Sequence, residues 1–550
     1  MRFLCLNTSL IDSNLDLIMF SIIAILSTVL MIFVGYKLLQ VLQLTGYKLN
    51  GFLKWFKETK YSYMSRLFML TFLSLASMLM TNVLLADFFV QRIFSYVSIL
   101  CYVLFCSLFI TNLFSAKQKT PLKYTKRMTR LVIVFAILIA GFTWGIQYVG
   151  YMYIPYLSFG LIAIIPVTLP LFVIIAYFIT YPIEKLISIS YLKKARKKLA
   201  EQKNILVIGV TGSFGKTSVK NILSTILEEK FKVCSTPASY NTPLGLSKTI
   251  LKKLTNDDEI LIAEMGAKQT GDIKELCEMV NPTIGVITGI GNQHLLTFGS
   301  LDNISKTKGE LADYVSKSNG KIYFNVDTEA ALNLSNKYKD AVKTAISTSE
   351  YDLKVESLKV DKDGSSFKLV YDKKKVECST VLLGNHNVSN IVLAARIALD
   401  LGLSLEEISA GISKLKAIPH RLEILKSSAE YTIIDDAYNC SVEGSKASLE
   451  VLSRFEGKKI VITPGLVELG ADQFNSNFEF GRDLAKVCDY VIIDSTINYD
   501  AISSGLIFAG FDENKIIQVV SLSKAVEMLK DIATKGDVVL FENDLPDNYS

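Results

Sequence analysis

The sequence has few of the residues from which metal clusters and disulfide frameworks are built. Its eight cysteines include no Cys-x-x-Cys pair, and there are only three histidines in 550 residues. A zinc ribbon and a disulfide-stapled scaffold are therefore disfavoured. Isolated buried thiols in a reducing compartment are expected instead.

Acidic residues are scarce in the first 203 positions, where 21 Lys and Arg accompany 6 Asp and Glu, giving a net charge of +15. Residues 204–550 carry 38 basic and 47 acidic side chains, giving a net charge of −9. The overall charge of +6 is therefore the sum of two regions of opposite charge. The length of the chain also predicts more than one domain.

Charge is missing altogether from long apolar runs in the first region. Residues 17–36, 67–86 and 93–114 each match the roughly 20 residues that a helix needs to cross a bilayer. Residues 131–183 are uncharged for long enough to form two more spans, with a reversal near Gly150 and Pro155. The absence of ionisable residues within these runs argues against a transporter or proton relay. We predict a transmembrane domain of five helices over residues 1–184 and a basic linker over residues 185–203.

Basic residues cluster in every second loop of this region, after the first, third and fifth runs. Because Lys and Arg accumulate on the cytoplasmic side, we predict a multi-pass cell-membrane protein with its N-terminus outside and its chain cytoplasmic from about residue 185 onward. Asp12 and Asp16 precede the first run, so a cleaved signal peptide is not expected. The segment from Tyr47 to Trp55 is either an interfacial segment beside anionic or lipid-linked material or an ordinary basic loop.

A glycine-rich turn, GVTGSFGKTS, occupies residues 209–218 between a strand predicted over 204–210 and a helix predicted over 218–229. A phosphate loop needs this context, because glycines let backbone N–H groups point at phosphate oxygens beside a helix N-terminus. Lys216 is predicted to bind phosphate, and Thr217 to hold magnesium. The strict G-x-x-x-x-G-K-[ST] pattern fails by one residue, because the first glycine is Gly209.

Two further predicted strands end in, or lead to, residues whose side chains can bind metal or take part in catalysis. The strand over 259–263 ends in Glu264, a candidate metal carboxylate, and the strand over 284–288 leads to His294. The carboxyl ends of parallel strands share one edge of an open α/β sheet, so both residues should lie beside the phosphate loop. The alternatives are a solvated carboxylate for Glu264 and a structural histidine for His294. The sequence has no Asn-Lys-x-Asp guanine-recognition motif, which argues against a GTPase.

Several ordered segments resemble the Mur ligase family, most closely its MurF branch. They are GVTGSFGKTS, EMGAKQTGDI, ITGIGNQHLLTFGSLDNISKTKGEL, GNHNVSN, PHRLE and DDAYN, and they extend over residues 204–550. The fold class we predict is an α-helical transmembrane bundle followed by two α/β domains. The resemblance implies a central ATP-binding domain over 204–383, with a P-loop ATPase-type parallel sheet, and a C-terminal Rossmann-like domain over 384–550. Alternating residues over 348–383 predict a small antiparallel insert.

In that family a substrate carboxylate attacks the γ-phosphate of ATP, and an amine then captures the acyl phosphate. The resemblance therefore implies an ADP-forming ligase that uses ATP and Mg²⁺, with Lys216, Lys308 and His294 as catalytic residues. It implies a first metal held by Thr217 and Glu264 and a second held by His294 and by Lys308 as a carbamate. The alternative for Lys308 is an ordinary surface lysine.

The same resemblance implies nucleotide and substrate contacts. The implied ATP-binding residues are Gly212, Ser213, Gly215, Lys216, Thr217, Ser218, Asn387, Asn390, Arg421 and Asp436. Asn241 and Thr242 match a segment that faces phosphate and substrate. ATP would then lie between two domains, and their closure would assemble the site.

Three departures from the family pattern leave the substrates open. The UDP-sugar domain that precedes this core in soluble relatives is replaced by the predicted spans. Lys268-Gln269 and Cys440-Ser441-Val442 replace Asn-His and Ala-Asn-Pro, and the last residues lack a Lys-Gly-Ser-Arg-like segment. We predict a membrane-anchored ligase that joins an amino acid or dipeptide to a cell-wall precursor. A more specific form of this hypothesis is that the acceptor is lipid-linked. A poly-γ-glutamate-type polymer synthetase and a nucleotide-binding membrane scaffold stay open, and no nucleic-acid partner is implied.

Overall fold

The computed structural model describes residues 13–58, 63–83, 88–115, 121–153, 162–202, 204–293, 295–348, 350–425, 430–438 and 441–543. The chain divides into two compact units between Ser188 and Ile189, a helical unit before this boundary and an α/β unit after it. The boundary falls inside a long helix and not in a loop.

The first unit is built of apolar helices. Their bounds are α1 Ser13–Val34, α2 Tyr36–Leu44, α3 Leu49–Glu58, α4 Tyr63–Val83, α5 Phe88–Ser115, α6 Lys126–Tyr153 and α7 Ile165–Glu201. Its core includes the buried side chains of Met31, Leu38, Phe135 and Leu169. The Phe135 ring lies only 2.8 Å from the position that a Cβ at Gly35 would take, so a side chain at residue 35 would displace it.

Among the residues that the structure describes, three helical segments are long and apolar enough to cross a bilayer, namely Ser21–Leu44, Lys126–Val149 and Ile165–Glu201. The helical segments Tyr63–Ala76 and Ile99–Phe114 are also apolar but shorter. They lie in the regions where the second and third spans were predicted. The five-span topology and its orientation therefore stay predictions. Of the two residues at which the reversal was predicted, Gly150 still lies within helix α6, and Pro155 falls outside the described residues.

The basic segment 185–203, predicted as a linker, is helical as far as Glu201 and continues the apolar part of α7. It is rich in Lys, Arg, Leu and Ala, whose high helix propensity gives the helix no reason to end at the change in polarity. Within the first unit, Glu184 of α7 forms a two-point ion pair with Arg130 of α6. The Nε–Oε1 distance is 2.6 Å and the Nη2–Oε2 distance is 3.0 Å.

Most of the segment predicted as interfacial or loop belongs to the amphipathic helix α3. Phe52 is buried in the core of the unit, whereas Lys54 and Lys57 are exposed. Beside it, the Arg127 guanidinium lies 3.9 Å from the centre of the Tyr47 ring, a cation–π geometry. An apolar face on the core and a basic face toward solvent suit a helix that lies at a membrane surface.

The second unit begins with a six-stranded parallel sheet in the order β2-β3-β1-β4-β5-β6. Its strands are β1 Leu206–Thr211, β2 Val233–Ser235, β3 Ile260–Glu264, β4 Ile284–Ile287, β5 Lys321–Asn325 and β6 Val342–Thr344. Its helices are α8 Lys216–Leu227, α9 Pro243–Lys252, α10 Asp272–Val280, α11 Leu295–Phe298, α12 Leu301–Lys317 and α13 Glu329–Ser335. The predicted strands correspond to β1, β3 and β4, whose buried apolar runs are typical of a sheet covered on both faces.

A small antiparallel sheet follows, as predicted for residues 348–383. Its strands are β7 Lys354–Asp361, β8 Gly364–Tyr371 and β9 Lys374–Thr380. Asp372 and Lys373 form the tight turn between β8 and β9, with left-handed φ angles of 45° and 64°.

Helices α14 Asn385–Asp400 and α15 Leu405–Ser413 lead to a second six-stranded sheet, in the order β10-β11-β15-β12-β13-β14. Its strands are β10 Glu423–Leu425, β11 Thr432–Asp436, β12 Lys459–Thr463, β13 Tyr490–Ile493, β14 Ile516–Gln518 and β15 Val538–Glu542. Its helices are α16 Val442–Ser453, α17 Gln473–Ala485, α18 Tyr499–Phe508 and α19 Leu522–Ile532. All strand pairs are parallel except β10 with β11, and the Rossmann-like assignment of this domain stays a prediction.

Candidate active site

The glycine-rich turn joins the end of β1 to the start of α8, as the sequence predicts. Gly215, the residue before α8, has a φ of 76°, which glycine adopts without steric cost. A Cβ at Gly212 would lie 2.2 Å from Thr288 Oγ1, so the loop packs closely against the end of β4. The Ser213 N–H donates to the Gly289 carbonyl at 2.8 Å, and the Thr288 hydroxyl donates to the Phe214 carbonyl. Contacts with the end of the neighbouring strand therefore fix the loop conformation before phosphate binds.

Lys216 turns back over this loop. Its Nζ donates to the carbonyls of Gly212 at 2.8 Å and Ser213 at 2.7 Å. Burial lowers the pKa of Lys216 to about 8, the Glu264 carboxylate opposes the shift, and the Arg421 guanidinium adds to it. Lys216 and Arg421, which belong to sequence motifs far apart in the chain, are thus close enough to interact electrostatically. Ser218 lies buried in the first turn of α8.

Glu264, at the end of β3, accepts hydrogen bonds from three side chains. Its Oε2 accepts from the Thr217 hydroxyl and from Lys220 Nζ, both at 3.1 Å, and its Oε1 accepts from Asn241 Nδ2 at 3.1 Å. Both Lys220 and Glu264 have side chains that are 1% exposed, so this is a buried ion pair. The alternative of a solvated carboxylate at Glu264 is wrong. Lys220 was not predicted, although its position one turn after Lys216 on a buried helix face was a usable signal.

The Glu264 and Thr217 oxygens fit the chemistry of a magnesium site. Mg²⁺ typically takes one or two protein carboxylates and completes its octahedron with substrate phosphates and water. A carboxylate and a hydroxyl within hydrogen-bond distance at the end of a phosphate loop match that donor set. No group of three or more His, Cys, Asp or Glu able to hold a metal occurs in the described part of the chain. His294, predicted as a metal ligand and catalytic residue, lies outside the described residues.

Lys308 lies in the middle of α12 and is only 3% exposed. The alternative of a surface lysine is therefore wrong. Burial lowers its pKa to about 7, the Lys216 charge lowers it further, and the carboxylates of Asp272 and Glu310 oppose the shift. Its Nζ lies 5.8 Å from the centre of the Phe298 ring. A buried amine with this pKa is neutral in a large fraction of molecules near pH 7, as carbamate formation requires.

The predicted substrate residues Asn241 and Thr242 are adjacent but differ in their contacts. The Asn241 amide faces Glu264. The Thr242 hydroxyl caps α9 by accepting from the Gly245 N–H at 3.3 Å. Asn241 therefore joins the group around Glu264, whereas the Thr242 side chain stabilises a helix N-terminus.

The C-terminal part of the chain contributes to the same region. A Cβ at Gly215 would lie 3.1 Å from Asn390 Oδ1, so this predicted adenine-side asparagine touches the phosphate loop. The Asn387 amide instead donates to the Leu383 carbonyl at 2.8 Å. Arg421 lies 4.9 Å from the centre of the Tyr438 ring. The Tyr438 hydroxyl donates to Ser239 Oγ at 3.1 Å and so links the two α/β domains, a contact that was not predicted.

Asp436 and its neighbours form a second charged group on this side. Burial raises the pKa of Asp436 to about 6, against the opposing effects of Arg421 and of the Leu422 N–H, which donates to it at 3.2 Å. The preceding Asp435 accepts from His420 Nδ1 at 2.7 Å. His420 has a left-handed φ of 59°, an uncommon conformation for a residue other than glycine.

Comparison with known proteins agrees with this geometry. Residues 210–398 match the family described as Mur ligase middle domain, and residues 420–542 match the Mur ligase glutamate ligase domain. The chain is 28% identical over 366 residues to the UDP-N-acetylmuramoyl-tripeptide–D-alanyl-D-alanine ligase of Bacillus subtilis, a match that covers 64% of this chain and 76% of the relative. It is 28% identical over 278 residues to the Escherichia coli protein of the same name, covering 50% and 61%.

Among solved structures, the MurF ligase of Thermotoga maritima in complex with ADP is similar at a TM-score of 0.58 and 28% identity, over 65% of this chain and 80% of that one. The chain spans less than two thirds of the Escherichia coli relative, and residues 1–209 lie outside both family matches. The two family matches together cover more than half of the chain. This protein therefore belongs to the Mur ligase family of ATP-dependent, ADP-forming ligases.

Proposed function

We propose that this protein is a membrane-anchored, MurF-like ligase that joins an amino acid or dipeptide to the carboxylate of a peptidoglycan precursor. The observation that carries the proposal is the meeting of Lys216, Thr217 and Glu264 at the ends of β1 and β3. The relatives' names support it, since they specify ligases of D-alanyl-D-alanine and a UDP-N-acetylmuramoyl tripeptide.

The proposed chemistry needs a site that binds a polyanion and lets a carboxylate attack phosphorus. Lys216 and Arg421 place positive charge around the phosphate loop, and a bound triphosphate would relieve their mutual repulsion. Thr217 and Glu264 would hold Mg²⁺, which neutralises charge on the phosphates. The loop N–H groups and Lys216 would orient the γ-phosphate for attack.

We propose that Lys308 works as a carbamate. Its neutral amine would attack carbon dioxide and lose a proton, which turns a cation into an anion that can hold a second metal ion with His294. The low pKa of the Lys308 ammonium supports this assignment, because only the uncharged amine is nucleophilic. We propose that Asn387, Asn390, Arg421 and Asp436 contact the nucleotide from the C-terminal domain.

We further propose that the acceptor is lipid-linked and is used at the cytoplasmic face of a multi-pass membrane domain. The apolar segments Ser21–Leu44, Lys126–Val149 and Ile165–Glu201 support an anchored protein. The basic face of α3, with Lys54 and Lys57, supports contact with anionic headgroups. A helical unit before the family core would replace a domain that holds a soluble sugar nucleotide.

The test is amine-dependent ADP release by the full-length protein in detergent. The amine probes are a panel of D-amino acids and dipeptides that includes D-alanyl-D-alanine. The muramoyl tripeptide is supplied either as the UDP derivative or on a polyprenyl diphosphate. Lys216→Ala is the blank. We expect amine-dependent ADP release with the lipid-linked acceptor. Absence of amine dependence with every amine tested would refute the ligase, and equal turnover of the UDP derivative without lipid would refute only the lipid-linked acceptor.

A further inference from the structure

Glu443 reaches from the C-terminal domain to a loop beside the phosphate site. It lies in the first turn of α16, whose N-cap Ser441 accepts from the Gly444 N–H at 3.0 Å. A Cβ at Gly291 would lie 2.5 Å from Glu443 Oε1 and 2.9 Å from Oε2. The carboxylate therefore rests against the backbone of residue 291, and a glycine there leaves room for it.

Gly291 belongs to the segment that supports the phosphate loop. Two residues before it, the Gly289 carbonyl accepts from the Ser213 N–H at 2.8 Å, and the Phe214 ring packs on Gly289. The Glu443 carboxylate is thus adjacent to the segment that supports the loop, and it comes from the opposite domain. Glu443 belongs neither to the group around Glu264 nor to the residues proposed to contact the nucleotide.

One oxygen of this carboxylate lacks a partner. Glu443 Oε2 is shielded from solvent and has no hydrogen-bond donor within the described ranges. A buried carboxylate oxygen without a donor costs free energy, and such a group in a native site calls for a ligand that supplies the donor. A phosphate oxygen would be repelled by this carboxylate, so we expect a ligand that donates a hydrogen bond or carries positive charge.

We propose that Glu443 binds the ammonium group of the incoming amino acid or dipeptide and positions it beside the acyl phosphate. The ammonium loses a proton to water before it reacts; the neutral amine then attacks the acyl carbon, the bond from that carbon to the phosphate oxygen breaks, and the phosphate leaves with the second amine proton. The proposal rests on the ligase function proposed above. Amide formation needs the amine nitrogen close to the phosphate end of the site, which is where the Gly291 contact holds this carboxylate. A charged hydrogen bond to an ammonium would satisfy Oε2, whereas magnesium has Glu264 and Thr217 available.

The proposal is tested by steady-state kinetics of Glu443→Gln in the full-length protein, with D-alanyl-D-alanine as the amine probe and the polyprenyl-linked tripeptide as acceptor. We expect the KM for the dipeptide to rise about tenfold or more, as for the loss of a charged hydrogen bond. The KM for ATP and the Mg²⁺ concentration for half-maximal activity should stay within about twofold. Glu443→Asp, which keeps the charge on a shorter side chain, should give a smaller rise.

The matched control is Glu456→Gln, which removes an exposed carboxylate three residues after the end of α16. It should leave all three parameters unchanged, and its thermal unfolding should match that of Glu443→Gln. An unchanged KM for the dipeptide in Glu443→Gln would overturn the assignment while leaving the ligase intact. A shift in Mg²⁺ dependence alone would overturn it in favour of a metal ligand. Amine-independent ADP release by the unsubstituted protein would instead overturn the ligase and, with it, the role of Glu443.

Discussion

The two sides of the site differ in how completely their polar groups are paired. On the central-domain side, both oxygens of Glu264 accept hydrogen bonds, and Lys220 donates to Glu264 and to the Ala238 carbonyl. On the C-terminal side, His386 Nδ1 and Glu443 Oε2 are shielded from solvent without a hydrogen-bond partner in the part of the chain that the structure describes. Ser213 Oγ in the phosphate loop is also shielded without a partner in the described residues. The group around Glu264 is therefore organised before a ligand arrives, whereas the phosphate loop and the C-terminal side keep groups whose partners come with one.

The largest effect should come from breaking the buried pair on the central-domain side. We expect Lys220→Met to abolish ADP release and to destabilise β3 by about 3 kcal/mol, because it leaves the Glu264 carboxylate buried without its cation. Hydrogen exchange of the β3 amides measures the destabilisation. The double variant Lys220→Met with Glu264→Gln should recover part of the stability but no activity.

The matched control for Lys220 is Lys274→Met, since the Lys274 side chain is 68% exposed and its ion pair lies at the surface. We expect a change in stability of about 0.5 kcal/mol or less. Equal effects of the two substitutions would contradict the view that the Glu264 side of the site is held by its buried pair.

The next largest effect concerns Lys308, which also lies on the central-domain side. The activity that depends on this residue should change with pH. ADP release should rise as pH increases through about 7, because the neutral amine that forms the carbamate then predominates. Bicarbonate should increase the rate of ADP release. Lys308→Ala should abolish ADP release, whereas Lys317→Ala at the exposed end of α12 should not. A rate independent of bicarbonate in carbonate-depleted buffer would argue against the carbamate.

The same pKa has a consequence for stability. Lys308 is less protonated in the folded than in the unfolded protein between about pH 7 and its ordinary pKa, so unfolding takes up a proton there. The contribution of Lys308 to the free energy of unfolding therefore rises with pH across that window. Lys308→Met should remove this part of the pH dependence in hydrogen-exchange measurements.

A smaller effect should distinguish the roles of the adjacent residues Asn241 and Thr242 on the central-domain side. Thr242→Ala should lower the local stability of α9 by about 1 kcal/mol, because the hydroxyl is the N-cap. The KM values for acceptor and amine should stay within about twofold. Asn241→Leu, which removes a donor to Glu264, should instead raise the requirement for Mg²⁺. A large rise in the acceptor KM of Thr242→Ala would support the substrate role that the sequence predicts for this residue.

The smallest effect should come from the contact that joins the two sides. Tyr438→Phe and Ser239→Ala each remove the hydrogen bond between the α/β domains but leave the ring under Arg421. A double-mutant cycle on kcat/KM for ATP should give a coupling of about 1 kcal/mol. A coupling near zero would mean that the two sides act without this contact.

The buried parallel strands and the phosphate loop could be predicted from the sequence because their signals are local. β1, β3 and β4 are apolar runs, and the glycines before Lys216 identify the turn. The short edge strands β2, β6, β10 and β14 were missed, because three residues carry little periodicity. The helical continuation of α7 was missed because the change from apolar to basic residues suggested a boundary.

Within the site, residues whose role depends on distant partners could not be found in the same way. Tyr438 and Glu443 become recognisable only when the fold brings Ser239 and Gly291 beside them. The position of Lys220 after Lys216 was a signal in the sequence, but its role as the cation of a buried pair appears only beside Glu264. For Thr242 the sequence suggested a role in substrate binding, but it gave no sign that the hydroxyl caps a helix. Motif order identified the chemistry, whereas the pairing of individual side chains required three-dimensional structure.

The carbonyl acceptors that Lys216 finds at Gly212 and Ser213 have a consequence for turnover. A lysine with a second set of acceptors does not lose all of its hydrogen bonds when a phosphate departs. We expect Lys216 to exchange ADP oxygens for loop carbonyls one bond at a time, which would ease product release. The same acceptors compete with weakly held anions, so inorganic phosphate should be a poor inhibitor compared with a nucleotide that also engages the second domain.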